Sequence, residues 1–223
     1  MRLYASRMKH PHTKPAADAA AVRTVSRVVP EPTALKALAH PVRLRMLGML
    51  RVDGPATATQ LAARLGLNSG ATSYHLRQLA QYGFIEEAPH ASRRDRWWRA
   101  SHELTSVPPS EAEGEALDLD IAFNQAALSL QVGQMQQALE EYAELPAEWR
   151  KATAADDIII PMTAAQAEAL TNRLRDIILE AMRAAPPLGE AASQESGMVP
   201  FYVMLHAFPY PGRVPHREGE DKP

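Results

Sequence analysis

The sequence predicts a mainly α-helical fold with small β elements, and three stretches of it carry that prediction. Residues 35–101 read LKALAHPVRLRMLGML, then TATQLAARLGLNSGATSYHLRQLAQYGFI, then EEAPHASRRDRWWRAS: helices meeting across a short turn, followed by a basic hairpin. Residues 115–144 repeat an apolar residue every seven positions. Beyond residue 147 the pattern runs strand, helix, strand. The expected architecture is a winged helix-turn-helix domain, a long connecting helix and a small α/β C-terminal domain.

Each element has its own local signals. Residues 1–30 carry Pro, Ala, Ser and scattered basic residues without apolar period, and read as a flexible basic arm. Arg-rich and acid-poor, the arm also has the look of an organellar transit peptide, but a disordered start is the preferred reading. The winged domain is expected over 31–102. A short helix runs near Thr33–Ala39, and a second opens at Pro41, a residue suited to a first helical turn. Asp53-Gly54-Pro55 breaks that helix. Thr57 or Thr59 caps a third, which ends at Gly66, and Asn68 or Ser69 caps a fourth, which ends at Gly83. Phe84–Ala88 and Arg96–Ala100 read as strands around a seven-residue loop.

Residues 103–114 hold two prolines and several acids, and read as a linker. The long helix is expected within 115–146. Its Ile121, Leu128, Met135 and Tyr142 lie seven apart, with Val132 and Leu139 filling the seam, although Asp118 and Gln125 interrupt its first half. Such a stripe serves either a dimer interface or packing against its own domain. The C-terminal domain is expected over 147–209: a strand at Asp157–Met162, a helix opened by the capping box Thr163-Ala-Ala-Gln166, and a strand at Met198–Phe208. The helix would bury Ala167, Leu170, Leu174, Ile177, Ile178 and Ala181. Residues 210–223 read as a polar, flexible tail.

Charge is segregated along the chain. The net formal charge of −2 divides into +4 for residues 1–32, +6 for 33–102 and −12 from Glu103 onward. A basic half can meet phosphates while an acidic half is held away from them. The zero cysteines exclude disulfides and thiolate metal sites. The eight histidines form no metal-binding pair or motif, so no metal is expected. Phosphate-loop, GxGxxG and GxSxG patterns are missing, so neither an enzyme nor a cofactor is expected. With no long apolar run and no leader-like segment, no membrane association is expected and a cytoplasmic location is.

The fourth helix carries the candidate recognition chemistry. Leu76 and Leu79 need burial, with Thr72 one turn earlier, which turns Ser69, Ser73, Tyr74, Arg77 and Gln78 outward. Arg can take guanine O6 and N7 together, and Gln can pair with adenine. The candidate DNA-binding residues are Asn68, Ser69, Thr72, Ser73, Tyr74, Arg77 and Gln78 on this helix, with Arg93, Arg94 and Arg96 in the wing. Trp97 and Trp98 alternate faces of a strand, one of them in the core. His75 is expected to pack beneath the helix or bond a backbone group.

The stretches LKALAHPVRLRMLGML and ATSYHLRQLAQYGFI resemble the ArsR-type family of bacterial winged-helix repressors, the first by its Pro-x-Arg helix, the second by its Ser-x-His-Leu-x-x-Leu-x-x-x-Gly pattern. The resemblance covers under a third of the chain. It implies a homodimer on a partly palindromic, double-stranded operator, with Ser69, Ser73, Tyr74 and Arg77 facing bases and Arg93, Arg94 and Arg96 in the wing. The cysteine ligands of the family's metal sensors have no counterpart. The added C-terminal half could be a dimerisation element, a sensor of a small-molecule effector, or both. Two rival readings stand beside this one: a winged-helix module that binds protein, and an enzyme housed in the C-terminal half.

Overall fold

The computed structural model describes residues 23–89, 95–107, 113–188 and 197–214. Two helices open the N-terminal domain, α1 (Pro32–Leu38) and α2 (Pro41–Val52), each with proline in its first turn. His40 caps α2: its Nδ1 accepts from the Val42 amide at 3.2 Å. A short strand β2 (Ala56–Thr57) leads into α3 (Ala58–Leu65). Thr57 closes a capping box with Gln60 at the start of α3, which decides between the two threonines. Gly66 ends α3 at φ +66°, where the left-handed backbone lets the Leu67 amide reach back to the Ala62 carbonyl. Asn68 then caps α4 (Ser69–Gln81).

The wing strands are β3 (Ile85–Glu87) and β4 (Trp97–Ala100), antiparallel, with Ile85 opposite Ala100 and Glu87 opposite Trp98. The two-residue β2 pairs with the other edge of β4, Ala56 opposite Trp98, and makes a three-stranded sheet. The core beneath it holds Leu38, Met46, Leu47, Leu50, Leu61, Leu76, Leu79, Phe84, Ile85 and Trp98. Of the two tryptophans Trp98 is therefore the core residue, and Trp97 is half-buried.

Two parts of the expected arm and linker are tied to each other. Strand β1 (Arg27–Val28) runs parallel to β5 (Leu104–Thr105), and Arg23 bridges Glu103 at 2.7 Å. Two-residue strands are too short to carry a period, so neither shows in the sequence. Arg51, at the end of α2, is half-buried and clips β5 in place. Its Nε donates to the His102 carbonyl at 2.9 Å and its guanidinium to the Thr105 hydroxyl at 2.8 Å.

The long helix α5 runs Glu115–Glu141 and continues as a 3-10 turn at Tyr142–Glu144. It packs on α1 and α2 through its first half, with Ala126 buried and Phe123 against the winged-domain core. At about 100° per residue these positions lie opposite the Ile121–Leu128–Met135 stripe. Ile121, Leu128, Val132, Met135, Leu139 and Tyr142 are all exposed, Leu139 to 72%. Within one chain, then, the stripe is not the face that packs on the winged domain.

Short α6 (Ala147–Ala152) and α7 (Ala164–Ala184) follow, and the Thr163–Gln166 capping box forms as expected. Two other expectations for this half are corrected. The segments read as strands, 157–162 and 198–208, are neither strand nor helix and form no ladder among the described residues. The apolar face of α7 is not buried: no residue of the helix is, and Ile177 is 60% exposed. An apolar period reports that a face wants a partner, not that its own chain supplies one. No described helix is long and apolar enough to cross a membrane.

Candidate nucleic-acid interface

The sharp turn from Gly66 to Asn68 sets α4 across α3, with Leu76 and Leu79 fully buried against the core. The opposite side of α4 is thereby presented outward. Ser69, Tyr74 and Arg77 are exposed, and Ser73 and Gln78 are half-buried. Gln78 donates to Gln81 at 3.3 Å. Asn68 is exposed and uses its Oδ1 to accept the Ala71 amide at 2.8 Å, which leaves its amide nitrogen to donate outward.

Thr72 is a correction. The sequence pattern places it among the DNA-contacting residues, but its side chain is completely buried and its hydroxyl donates to the Asn68 carbonyl at 3.0 Å. One turn before Leu76, it shares the core-facing side of the helix and cannot reach a ligand.

A groove of about 310 Å³ lies between this helix and the wing. Thr57, Ala58, Thr59, Ser73, Arg77, Asp95, Arg96 and Trp98 line it. Three of the expected residues, Ser73, Arg77 and Arg96, therefore meet in one place. Arg96 is held beside the groove by an exposed ion pair with Glu87 at 3.0 Å and by its position 5.6 Å over the Trp98 ring. The other two wing arginines, Arg93 and Arg94, lie outside the described residues. Thr59 and Asp95 were not expected here. The start of α3 joins the groove because β2 pairs with β4, a neighbourhood that sequence spacing does not show. Asp95 places a carboxylate in an otherwise basic and hydroxyl-rich cleft.

Behind α4, His75 packs on His40. Their ring centroids are 4.6 Å apart, and Tyr74 stands edge-on to His75 at 5.5 Å. This realises the packing alternative for His75. Burial, with Arg43 close by, holds both imidazoles below their usual pKa, and His75 is lowered further by His40 itself. Both are kept neutral, consistent with His40 Nδ1 serving as the acceptor that caps α2. Among the described residues no group of three or more His, Asp or Glu side chains is placed to hold a metal.

Residues 38–88 match the profile of a helix-turn-helix domain. The chain carries a helix-turn-helix domain. With the β3–β4 hairpin beside it, the fold is of the winged-helix type. The HTH-type transcriptional regulator YgaV of Escherichia coli (strain K12) is 39% identical over 59 residues, which is 26% of this chain and 60% of that protein. This chain therefore spans less than two thirds of that relative's length. Two solved structures overlap it loosely. RV1404 from Mycobacterium tuberculosis is 15% identical at a TM-score of 0.28, over 67% of this chain and 82% of that one. The C30AH42A mutant of Lactococcus lactis ZitR in apo form is 14% identical at 0.29, over 67% and 88%.

Proposed function

We propose that this protein is a sequence-specific, DNA-binding transcriptional regulator of the ArsR type, acting in the cytoplasm as a homodimeric repressor on a partly palindromic operator. The observation that carries the reading is the groove in which Ser73 and Arg77 of α4 meet Arg96 of the wing, on the basic half of the chain. Arg77 is the candidate for bidentate base reading, and Arg96 for the neighbouring backbone. YgaV, by its name a transcriptional regulator, supports the same assignment.

The dimer part of the proposal rests on the exposed stripe of α5. From Ile121 to Leu139 the helix has no charged residue, a composition suited to an interface core. Two half-sites on one face of DNA stand about 34–36 Å apart, and a 27-residue helix is roughly 40 Å long, enough to brace that spacing.

Duplexes selected from a random pool supply the operator, and fluorescence anisotropy across a salt series measures binding. Affinity should fall steeply with salt, because displaced counterions return to the phosphates. A flat salt response would remove the phosphate-contact reading. Leu128→Asp with Met135→Asp should leave the winged domain folded but reduce the light-scattering mass to a monomer. A double variant that remains dimeric would place the dimer interface elsewhere.

A further inference from the structure

Four apolar surfaces of the C-terminal half lack a cover among the described residues: the α5 stripe, the apolar face of α7, residues 157–162 and residues 199–208. The last two are the more demanding. Ile158, Ile159 and Ile160 are consecutive, so their side chains point to both faces of a strand. Such a run suits a strand covered on both sides. Here Ile158 is 72% and Ile159 69% exposed, and no residue of 154–162 makes a hydrogen bond to another described residue. In 199–208, the polar contacts are made by side chains, from Tyr202 and His206 to Gln131 of α5, and Phe201 stacks on Trp149. Its backbone, like that of 157–162, makes no backbone–backbone hydrogen bond among the described residues.

The uncovered area is large. The chain exposes 18108 Å², where a compact monomer of 24.5 kDa exposes about 10,000 Å². Even if every residue outside the described set is granted the exposure of an unfolded chain, roughly 2,000 Å² of excess remains. A stable dimer needs about 800 Å² from each partner. Charge agrees: residues 158–162 and 198–208 carry none, within a half of net charge −12.

We propose that residues 157–162 of one protomer form a β-ladder with residues 199–208 of a second copy, exchanging the C-terminal segments across the dimer. This rests on the homodimer reading and adds the pairing that completes it. Two-fold symmetry makes each such ladder occur twice, so one interface satisfies all four segments. Pairing of 157–162 with its own symmetry mate would leave 199–208 uncovered on both chains. The 199–208 segment is held along α5 of its own chain through Gln131, which flanks the apolar stripe on that helix. Pro200 sits at one end of the segment, where its missing amide is tolerated.

The absence of native cysteine makes the test clean. Ile159→Cys protein is co-expressed with full-length chains carrying one cysteine at each of positions 201 to 205 in turn, and mildly oxidised. Facing side chains in a ladder can form a disulfide, and neighbours one residue away point to the opposite face. The expected result is an interchain disulfide whose yield alternates with period two along 201–205. Cross-linking of Ile159→Cys to itself would overturn the proposal. So would a purely intrachain disulfide in the Ile159→Cys/Val203→Cys double variant, or no cross-link at any position. Light scattering of the unmodified protein separates the two levels. A dimer without the cross-link removes only this pairing, whereas a monomer removes the homodimer reading as well.

Discussion

Asn68 joins two tasks that substitution can separate. Its Oδ1 accepts the Ala71 amide at 2.8 Å and caps the recognition helix, while its amide nitrogen faces the side proposed for DNA. Asn68→Ala removes the cap and should destabilise the domain by about 1 kcal/mol. Asn68→Asp keeps the acceptor and adds a negative charge at the positive end of the helix, so stability should hold or rise by about 0.3–1 kcal/mol. Binding should follow a different order. Both variants lose the outward amide donor. Aspartate also sets a carboxylate near the DNA backbone. With two phosphates about 7 Å away in water, the repulsion sums to roughly 1.2 kcal/mol, or about sevenfold in affinity, at low salt. Near physiological salt, where the screening length is about 8 Å, the difference should shrink. Urea denaturation should therefore rank Asp at or above Asn and above Ala, and duplex anisotropy should rank Asn above Ala above Asp. If Asn68→Asp bound duplex as tightly as the wild type at low salt, the N-terminus of α4 would not face phosphate. If it were as unstable as Asn68→Ala, the capping account would be wrong.

Three further predictions follow from the same geometry. Asp95→Asn removes the carboxylate from the groove beside Arg96, so duplex affinity at low salt should rise several-fold and converge on wild type as salt is added, as read by anisotropy; unchanged low-salt affinity would place the groove away from DNA. Arg51 is a half-buried cation whose pKa desolvation pushes down to about 10, yet its two hydrogen bonds to His102 and Thr105 tie β5 to α2. Arg51→Met should lower stability by roughly 2–3 kcal/mol in urea titration, since bonds to a charged donor are worth more than neutral ones; a neutral effect would mean that relief of the buried charge offsets them. His40 and His75 are held below their ordinary pKa of 6.5, so the unfolded chain takes up protons first as pH falls. Their contribution is complete above pH 6.5 and is lost as pH falls towards the lowered folded values. The urea midpoint should drop between pH 7.5 and 5.5, and His75→Gln should flatten that slope; an unchanged slope would show that the pair does not set it.

The winged domain is legible in the sequence because its boundaries are punctuated. Pro41 opens α2, Asp53-Gly54-Pro55 closes it, Thr57 and Gln60 form a box, Gly66 takes the left-handed turn and Asn68 caps α4. The outward set on α4 follows from Leu76 and Leu79 once the period is known. Thr72 misleads because a hydroxyl can be a DNA contact or a helix-internal donor, and only burial distinguishes them. The groove itself is hidden, since β2 brings Thr59 beside Arg96 through a ladder of two residues. The C-terminal half fails for a different reason. Its patterns are strong, with a capping box, an isoleucine run and a seven-residue stripe, but the described residues of the chain leave the isoleucine run and the stripe without a packing partner.

That failure bears on how the two halves work together. Helix α5 has two apolar faces: Phe123 and Ala126 fix it to α1 and α2, and the Leu128 and Met135 face is left open. A helix bonded rigidly to the winged domain on one side and to a second copy on the other would leave no flexible joint between dimer seam and recognition helix. Under the dimer reading, the separation of the two α4 helices is then set by how the seam packs. A turn of one α5 against its mate would carry the whole winged domain with it. Under the same reading, the acidic residues gathered from Glu103 onward would reinforce this arrangement, because repulsion from phosphate would hold the C-terminal half off the duplex while the basic half docks. If the dimer reading holds, a ligand that altered packing in the C-terminal half would act on duplex affinity through the spacing of the two α4 helices, with no need to touch the groove between α4 and the wing.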